Sequence, residues 1–188
     1  ETIASLLSVR RFEENKFVSV ITQSGVIKKT SLMAYSNPRQ GGIIGLTLDE
    51  GDKVIAAKLS DGTKDILLAT KSGMAIRFQE AEARPIGRTG RGVKGITLRE
   101  GDAVVGAEII EPSTLSEGSQ PIADGEKPLP ETPAAATRKT ILTATENGYG
   151  KRTELEEYRA QSRGGLGVIT IKCNEKLGSV VGIEQVSG

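Results

Sequence analysis

Positively charged side chains return at matched places along this chain, and their neighbours indicate what chemistry they could do. One set follows a glycine at the start of a short strand-like run: Lys28 and Lys29, then Arg77, then Lys151 and Arg152. A second set lies in or beside glycine-rich loops: Arg39, then Arg84, Arg88, Arg91 and Lys94, then Arg159 and Arg163. Lys and Arg neutralise backbone phosphates with release of counterions and little regard to base sequence. Glycine next to Arg adds to this, because a residue without Cβ lets the backbone approach a phosphate and offer its N–H groups. The plainer alternative is glycine for turns and Lys/Arg solvating an edge strand. It explains one position easily, and the threefold series less well. With only three Phe and three Tyr there is no platform for stacking unpaired bases, so duplex DNA is the better polyanion.

Other chemistries are poorly provided for. The chain has no His, no Trp and one Cys, Cys173, which excludes histidine triads, Cys/His zinc sites and an intramolecular disulfide. Asp52 and Asp102 sit in Glu-Gly-Asp triplets that read as turns rather than as a carboxylate pair. Tyr149 has no candidate base nearby, and Val26 and Met74 occupy its place in the sister repeats. Gly90 to Gly95 matches G-x-G-x-x-G without the strand before it, the helix after it or the distant acid a dinucleotide site needs. Gly150-Lys151 lacks the Ser or Thr and the upstream glycine of a phosphate-binding loop. No catalytic residue, metal ligand or cofactor is expected in this chain.

The elements that must carry the basic residues emerge from self-comparison. Val18 to Gly25, Ile66 to Gly73 and Ile141 to Gly148 share one pattern, an apolar strand, Thr, two polar residues and Gly. Each leads into a second strand, at Val26–Thr30, Met74–Phe78 and Tyr149–Thr153, so each unit opens with a hairpin. A Gly/Arg loop and a third apolar strand follow, at Ile43–Leu46, Val93–Ile96 and Val168–Ile171. A fourth strand comes at Val54–Ala57, Val104–Ala107 and Val180–Ile183. Four short strands per repeat of 48 residues (Gly25 to Gly73), without helical periodicity, predict an all-β, propeller-like array of four-stranded blades. Repeats are placed at about 18–65, 66–110 and 138–188, after an N-terminal remnant over 1–17. Three units are too few for a comfortable closed ring, so an incomplete ring is expected.

The last repeat starts late, since Gly73 to Gly148 is 75 residues, an excess of 27 over the first spacing. Residues 111–137 hold five of the seven prolines and five acidic residues against one Lys, the composition of a flexible insertion. The remainder carries 24 basic and 19 acidic residues, net +5, against +1 for the whole chain. No apolar run approaches membrane-spanning length and no signal peptide is evident, so a cytoplasmic protein without membrane contact is expected. The start at Glu1 rather than Met reads as a piece of a longer protein.

Several of these segments together resemble the C-terminal domain of bacterial DNA gyrase A. They are Gly25-Val26-Ile27-Lys28-Lys29-Thr30, Gly87 to Ile96 with Gly101-Asp102, and Asn147 to Thr153 followed by Gly167-Val168-Ile169. The alternative within this resemblance is the similar domain of topoisomerase IV, which would imply selection of DNA crossings. The resemblance implies a β-pinwheel, a propeller-like disc of about six blades that exchange strands with their neighbours and bend duplex DNA around a basic perimeter. It further implies partners in a heterotetramer, the rest of gyrase A and gyrase B, which together introduce negative supercoils at the expense of ATP, in the cytoplasm at the nucleoid. The catalytic tyrosine, metal and ATP sites belong to other domains of that enzyme. The family's heptad Gln-Arg-Arg-Gly-Gly-Lys-Gly is matched in degenerate form by Gln161, Ser162, Arg163, Gly164, Gly165, Leu166 and Gly167. That copy lies in the last repeat, so the family's first blade is expected to lie outside this chain. A protein-interaction propeller with a solvated basic edge is the alternative from another functional class.

Overall fold

The computed structural model describes residues 3–112 and 139–187. The first hairpin is β1 (Phe17–Thr22) and β2 (Val26–Ser31), and after a 3-10 turn at Leu32–Tyr35 and a long loop comes β3 (Val54–Ser60). The second unit repeats this with β4 (Asp65–Thr70), β5 (Met74–Gln79), a turn at Glu80–Glu82, the two-residue β6 (Val93–Lys94) and β7 (Val104–Ile110). The third has β8 (Lys139–Thr145), β9 (Gly150–Glu154), a turn at Leu155–Glu157, β10 (Val168–Ile169) and β11 (Val180–Ser187). Apart from Glu111 and Pro112, the Pro-rich insertion lies outside the described residues.

Each hairpin turn closes for the same reasons. Gly25, Gly73 and Gly148 have φ of 84°, 85° and 80°, a left-handed conformation that glycine adopts without strain. The threonine ending the first strand receives the N–H of the residue after the glycine in the first two units, Val26 to Thr22 Oγ1 at 3.2 Å and Met74 to Thr70 Oγ1 at 3.3 Å. The Asp of each Glu-Gly-Asp triplet then caps the turn from outside: Asp52 accepts from the Ser24 N–H (2.9 Å) and hydroxyl (2.6 Å), and Asp102 from the same groups of Ser72. Burial raises the carboxyl pKa of Asp52 and Asp102, but these hydrogen bonds outweigh it and hold both below their ordinary value.

The three sheets run in the orders β3-β1-β2-β6, β7-β4-β5-β10 and β11-β8-β9, all antiparallel. The third strand of the second and of the third unit is therefore handed backwards. β6, from the second unit, completes the first sheet by pairing Val93 with Ile27, and β10, from the third, completes the second sheet by pairing Val168 with Ala75. The exchanged strands are two residues long, shorter than the Val93–Ile96 and Val168–Ile171 expected, and Ile43–Leu46 forms no strand. The physical reason is that among the described residues no preceding sheet offers an edge on which the first unit's segment could pair.

Two apolar clusters fill the spaces between neighbouring sheets. Ile21, Ile27, Ile66, Leu68, Ile76 and Phe78 lie between the first and second, and Leu67, Ala69, Ala75, Ile141 and Tyr158 between the second and third. β4 is buried along its whole length because alternate side chains serve the two clusters. β7 packs between β3 and β11, so the fourth strands form the inner layer of an all-β, propeller-like array whose ring is incomplete.

Candidate nucleic-acid interface

The strand cations and the loop cations end in different surroundings. Lys28, Lys29 and Arg77 are 1%, 3% and 2% exposed, so their charged ends do not reach the rim that the repeat pattern assigned to them. Lys28 Nζ donates to the carbonyls of Gly45 (2.5 Å) and Arg88. Burial, and then the Arg88 charge, bring its pKa down to about 8. Lys29 Nζ donates to the Glu80 carbonyl at 2.7 Å and lies 5.2 Å from the centre of the Phe17 ring. Burial lowers its pKa against the opposing effect of the Glu80 carboxylate. Arg77 makes a buried ion pair from Nε to Asp65 Oδ2 at 2.8 Å, and its remaining nitrogens donate to the carbonyls of Leu155 (3.0 Å), Tyr158 (3.4 Å) and Glu111 (3.3 Å). Such residues join one unit to the next. The third-unit counterparts Lys151 and Arg152 are exposed, although Lys151 Nζ donates to the Thr170 carbonyl at 2.9 Å.

The glycine loops lie side by side and are stitched to one another. Arg88 donates to the Ile44 carbonyl (3.0 Å) and Arg163 to the Lys94 carbonyl (2.6 Å), the same bond one repeat later. Thr47 and Thr97 repeat a second link, each hydroxyl donating at 2.7 Å to a carbonyl of the following loop, Thr89 and Gly164. This ladder sets the three loops next to one another. Arg39, Arg84, Lys94 and Arg159 are exposed, and their side chains have no hydrogen-bond or ion-pair partner among the described residues. Arg91 is exposed as well and holds a surface ion pair with Asp49 at 2.8 Å. Arg88 and Arg163 are half-buried.

The heptad-like segment occupies the third of these loops. Gln161 donates its backbone N–H to the Arg77 carbonyl at 2.8 Å, Gly164 donates to Gly95 at 2.8 Å, and the backbone N–H of Arg163 meets Glu82 Oε2 at 2.9 Å. Ser162 and Leu166 are exposed at two of the three places where the heptad that this segment resembles has basic residues, Leu166 at 52%. Gly165 is half-buried, and a Cβ on Gly167 would collide with the Ala75 carbonyl oxygen. Sequence reasoning missed a surface hollow lined by Arg10, Arg11, Lys16 and Lys64 together with Glu13 and Asp61, because Arg10, Arg11 and Lys16 precede the first repeat and have no counterparts to mark them.

A family model described as the DNA gyrase C-terminal domain, beta-propeller, matches residues 16–61, 64–111 and 139–187. The chain belongs to this DNA gyrase C-terminal domain family. Its relatives include the DNA gyrase A protein of Haloquadratum walsbyi, 40% identical over 93% of this chain, and that of Salmonella typhimurium, 40% identical over 99%. The chain spans 18% of the length of each. Among solved structures it is similar to the C-terminal domain of DNA gyrase A (TM-score 0.76, 23% identity, 97% of this chain and 53% of that one). It is also similar to the C-terminal domain of DNA topoisomerase IV (TM-score 0.74, 26% identity, 96% and 48%). The beta-propeller description of the family agrees with the all-β array described above, and the three matched segments each hold one hairpin and the strand that closes its sheet. Among the described residues there is no cluster of metal-ligating side chains and no helix long and apolar enough to cross a membrane.

Proposed function

We propose that this chain binds duplex DNA through its glycine-loop edge, bending the duplex along a curved track of cations as a domain of DNA gyrase A. The observation that carries the reading is the loop-to-loop ladder, in which Arg88 and Arg163 tie each loop to its neighbour, while Arg39, Arg84, Lys94 and Arg159 are exposed without protein partners among the described residues. Binding here is to phosphates: the cations lie on flexible side chains, and the helical elements among the described residues are 3-10 turns of three or four residues, too short to read a groove. Bending a short site costs of order 1–6 kcal/mol, which many modest contacts spread along the edge can offset. In the whole enzyme, with gyrase B, such a wrap would present a DNA segment for ATP-driven negative supercoiling in the cytoplasm. This chain contributes binding, and cleavage, metal and nucleotide chemistry belong to the remainder of the protein. Gyrase is preferred over topoisomerase IV because the relatives at 40% identity are gyrase A proteins.

Equilibrium binding to a duplex of roughly 100 base pairs across a salt series tests the reading, with log K expected to fall with log salt by about 0.9 per phosphate contact. Replacing Arg39, Arg84, Lys94 and Arg159 together by Gln should flatten that slope by the equivalent of about four contacts. An unchanged slope would remove the loop edge as the interface, and negligible binding at low salt together with capture of a defined protein would favour the interaction propeller.

A further inference from the structure

The cation on the second strand of each hairpin has one task, repeated. Lys29 Nζ donates to the carbonyl of Glu80, the first residue of the 3-10 turn in the second unit. Arg77, one repeat later, donates to the carbonyl of Leu155, the first residue of the 3-10 turn in the third. Around each of these bonds the same contacts recur. The Ile86 N–H meets the Lys29 carbonyl at 2.9 Å, and that of Gln161 meets the Arg77 carbonyl at 2.8 Å. The Gly25 carbonyl receives the N–H groups of Gly95 and Ile96 at 2.8 and 3.4 Å, while that of Gly73 receives those of Thr170 and Ile171 at 2.9 and 3.4 Å.

The third hairpin has the donor side of this junction without the acceptor. Arg152 stands in register with Lys29 and Arg77, each lying four residues past its turn glycine, yet it is exposed and has no partner among the described residues. The surrounding sheet face tells the same story. Ser19 and Leu67 are 0% exposed in the first two units, whereas Leu142, their counterpart, is 39% exposed. β5 is flanked by β10 and β2 by β6, while the outer edge of β9 has no strand beside it among the described residues. The solved domains are about twice as long as this chain, which spans 53% and 48% of them.

We propose that Arg152 is an inter-blade latch rather than a phosphate contact: with the outer edge of β9 it receives the 3-10 turn and glycine loop of a fourth repeat in the same polypeptide. The latch sits on the sheet face, so the proposal stands apart from the loop-edge reading of DNA binding. Its guanidinium would donate to the first carbonyl of that turn, and a two-residue strand would pair alongside Tyr149 and Gly150 as β6 does alongside Val26 and Ile27. A glycine is required in the incoming loop, since a Cβ on Gly92 would lie 2.7 Å from the Ile27 oxygen at the equivalent place.

Hydrogen exchange on the full-length protein tests this. The segment 149–154 should be as protected as 74–79, and Arg152→Gln should accelerate its exchange by about tenfold or more. Arg152→Lys should retain most of the protection, because a lysine does this work at position 29. Arg99→Gln, on an exposed turn outside both sites, should change nothing. In the isolated 188-residue chain, Arg152→Gln should have no effect on this segment. The proposal is overturned if 149–154 exchanges as freely in the full-length protein as in the isolated chain, or if Arg152→Gln leaves its protection unchanged there, whatever it does to DNA binding. Should Arg152→Gln fail to fold, the comparison of the wild-type full-length protein with the isolated chain still decides.

Discussion

The second strands and the glycine loops are built from the same side chains at the same period, and the molecule uses them in opposite ways. Lys29 and Arg77 point toward the next unit, where carbonyls of its 3-10 turn satisfy them, and Arg77 also pairs with the Asp65 carboxylate of its own hairpin. Arg84 and Arg159, from the turn and loop immediately downstream, point to water. Alternation explains the split. On β5, Ala75 and Arg77 share the face turned to the third sheet while Ile76 and Phe78 pack against the first, so neither direction leads to solvent. Arg84 and Arg159 lie outside the strands and are exposed. Charge repeated in a blade array therefore divides into cations that join blades and cations that face a ligand, and the two should respond differently to neutralisation.

The sharpest test of that division is Arg77→Gln. Both Arg77 and Asp65 are almost fully buried, so the substitution strands a buried carboxylate and several carbonyls and should cost about 3–5 kcal/mol in urea unfolding. Arg84→Gln or Arg159→Gln, by contrast, should stay within about 0.5 kcal/mol in stability. Equal destabilisation by strand and loop substitutions would erase the distinction.

A smaller effect separates docked from undocked loops. Gly167 and Gly42 stand at equivalent loop positions with φ of 77° and 79°, so alanine is strained at both. At Gly167 the new Cβ also runs into the Ala75 carbonyl where β10 meets β5, whereas at Gly42 it meets nothing within 4 Å. Gly167→Ala should therefore lose about 1–3 kcal/mol more than Gly42→Ala in chemical denaturation. Indistinguishable losses would mean that strand exchange contributes little to holding the sheets together.

Much of this architecture was legible because turn chemistry is local. The Thr-x-x-Gly sequence closing each hairpin and the Asp of each Glu-Gly-Asp triplet declare their roles in a few residues, and those roles appear at Thr22, Gly25 and Asp52 and again at Thr70, Gly73 and Asp102. What did not show locally was orientation. Lys28-Lys29 reads as a solvated pair, and only the arrival of the Glu80 turn and the Arg88 loop from the next unit buries it. The short length of β6 and β10 is likewise set by the neighbouring sheet they join, and Ile43–Leu46, with similar apolar content, stays irregular for want of one. Asp65 gave no sign of being the partner of Arg77, because their pairing depends on the hairpin register that sets Asp65 opposite Gln79.

The smallest predicted effect concerns Lys28, whose inward position has a signature in pH. Its folded-state pKa of about 8 lies below the ordinary lysine value of 10.5, because burial, and then the Arg88 charge, disfavour the ammonium. Above pH 8 the folded protein sheds this proton while the unfolded chain still holds it, so the unfolded state binds more protons and stability rises with pH until about 10.5. Below pH 8 the group is charged in both states and contributes little slope. Between pH 7 and 9 the gain should be about 1 kcal/mol, since each unit of pH within the window is worth roughly 1.4 kcal/mol. Lys28→Met should remove it, and the loop substitution Lys94→Met, at an exposed site, should not. Urea unfolding of the three proteins at pH 7, 8 and 9 decides the matter: if the wild-type curve and the Lys28→Met curve run parallel, the lysine is not confined as the structure has it, and a strand cation would again be available to the rim.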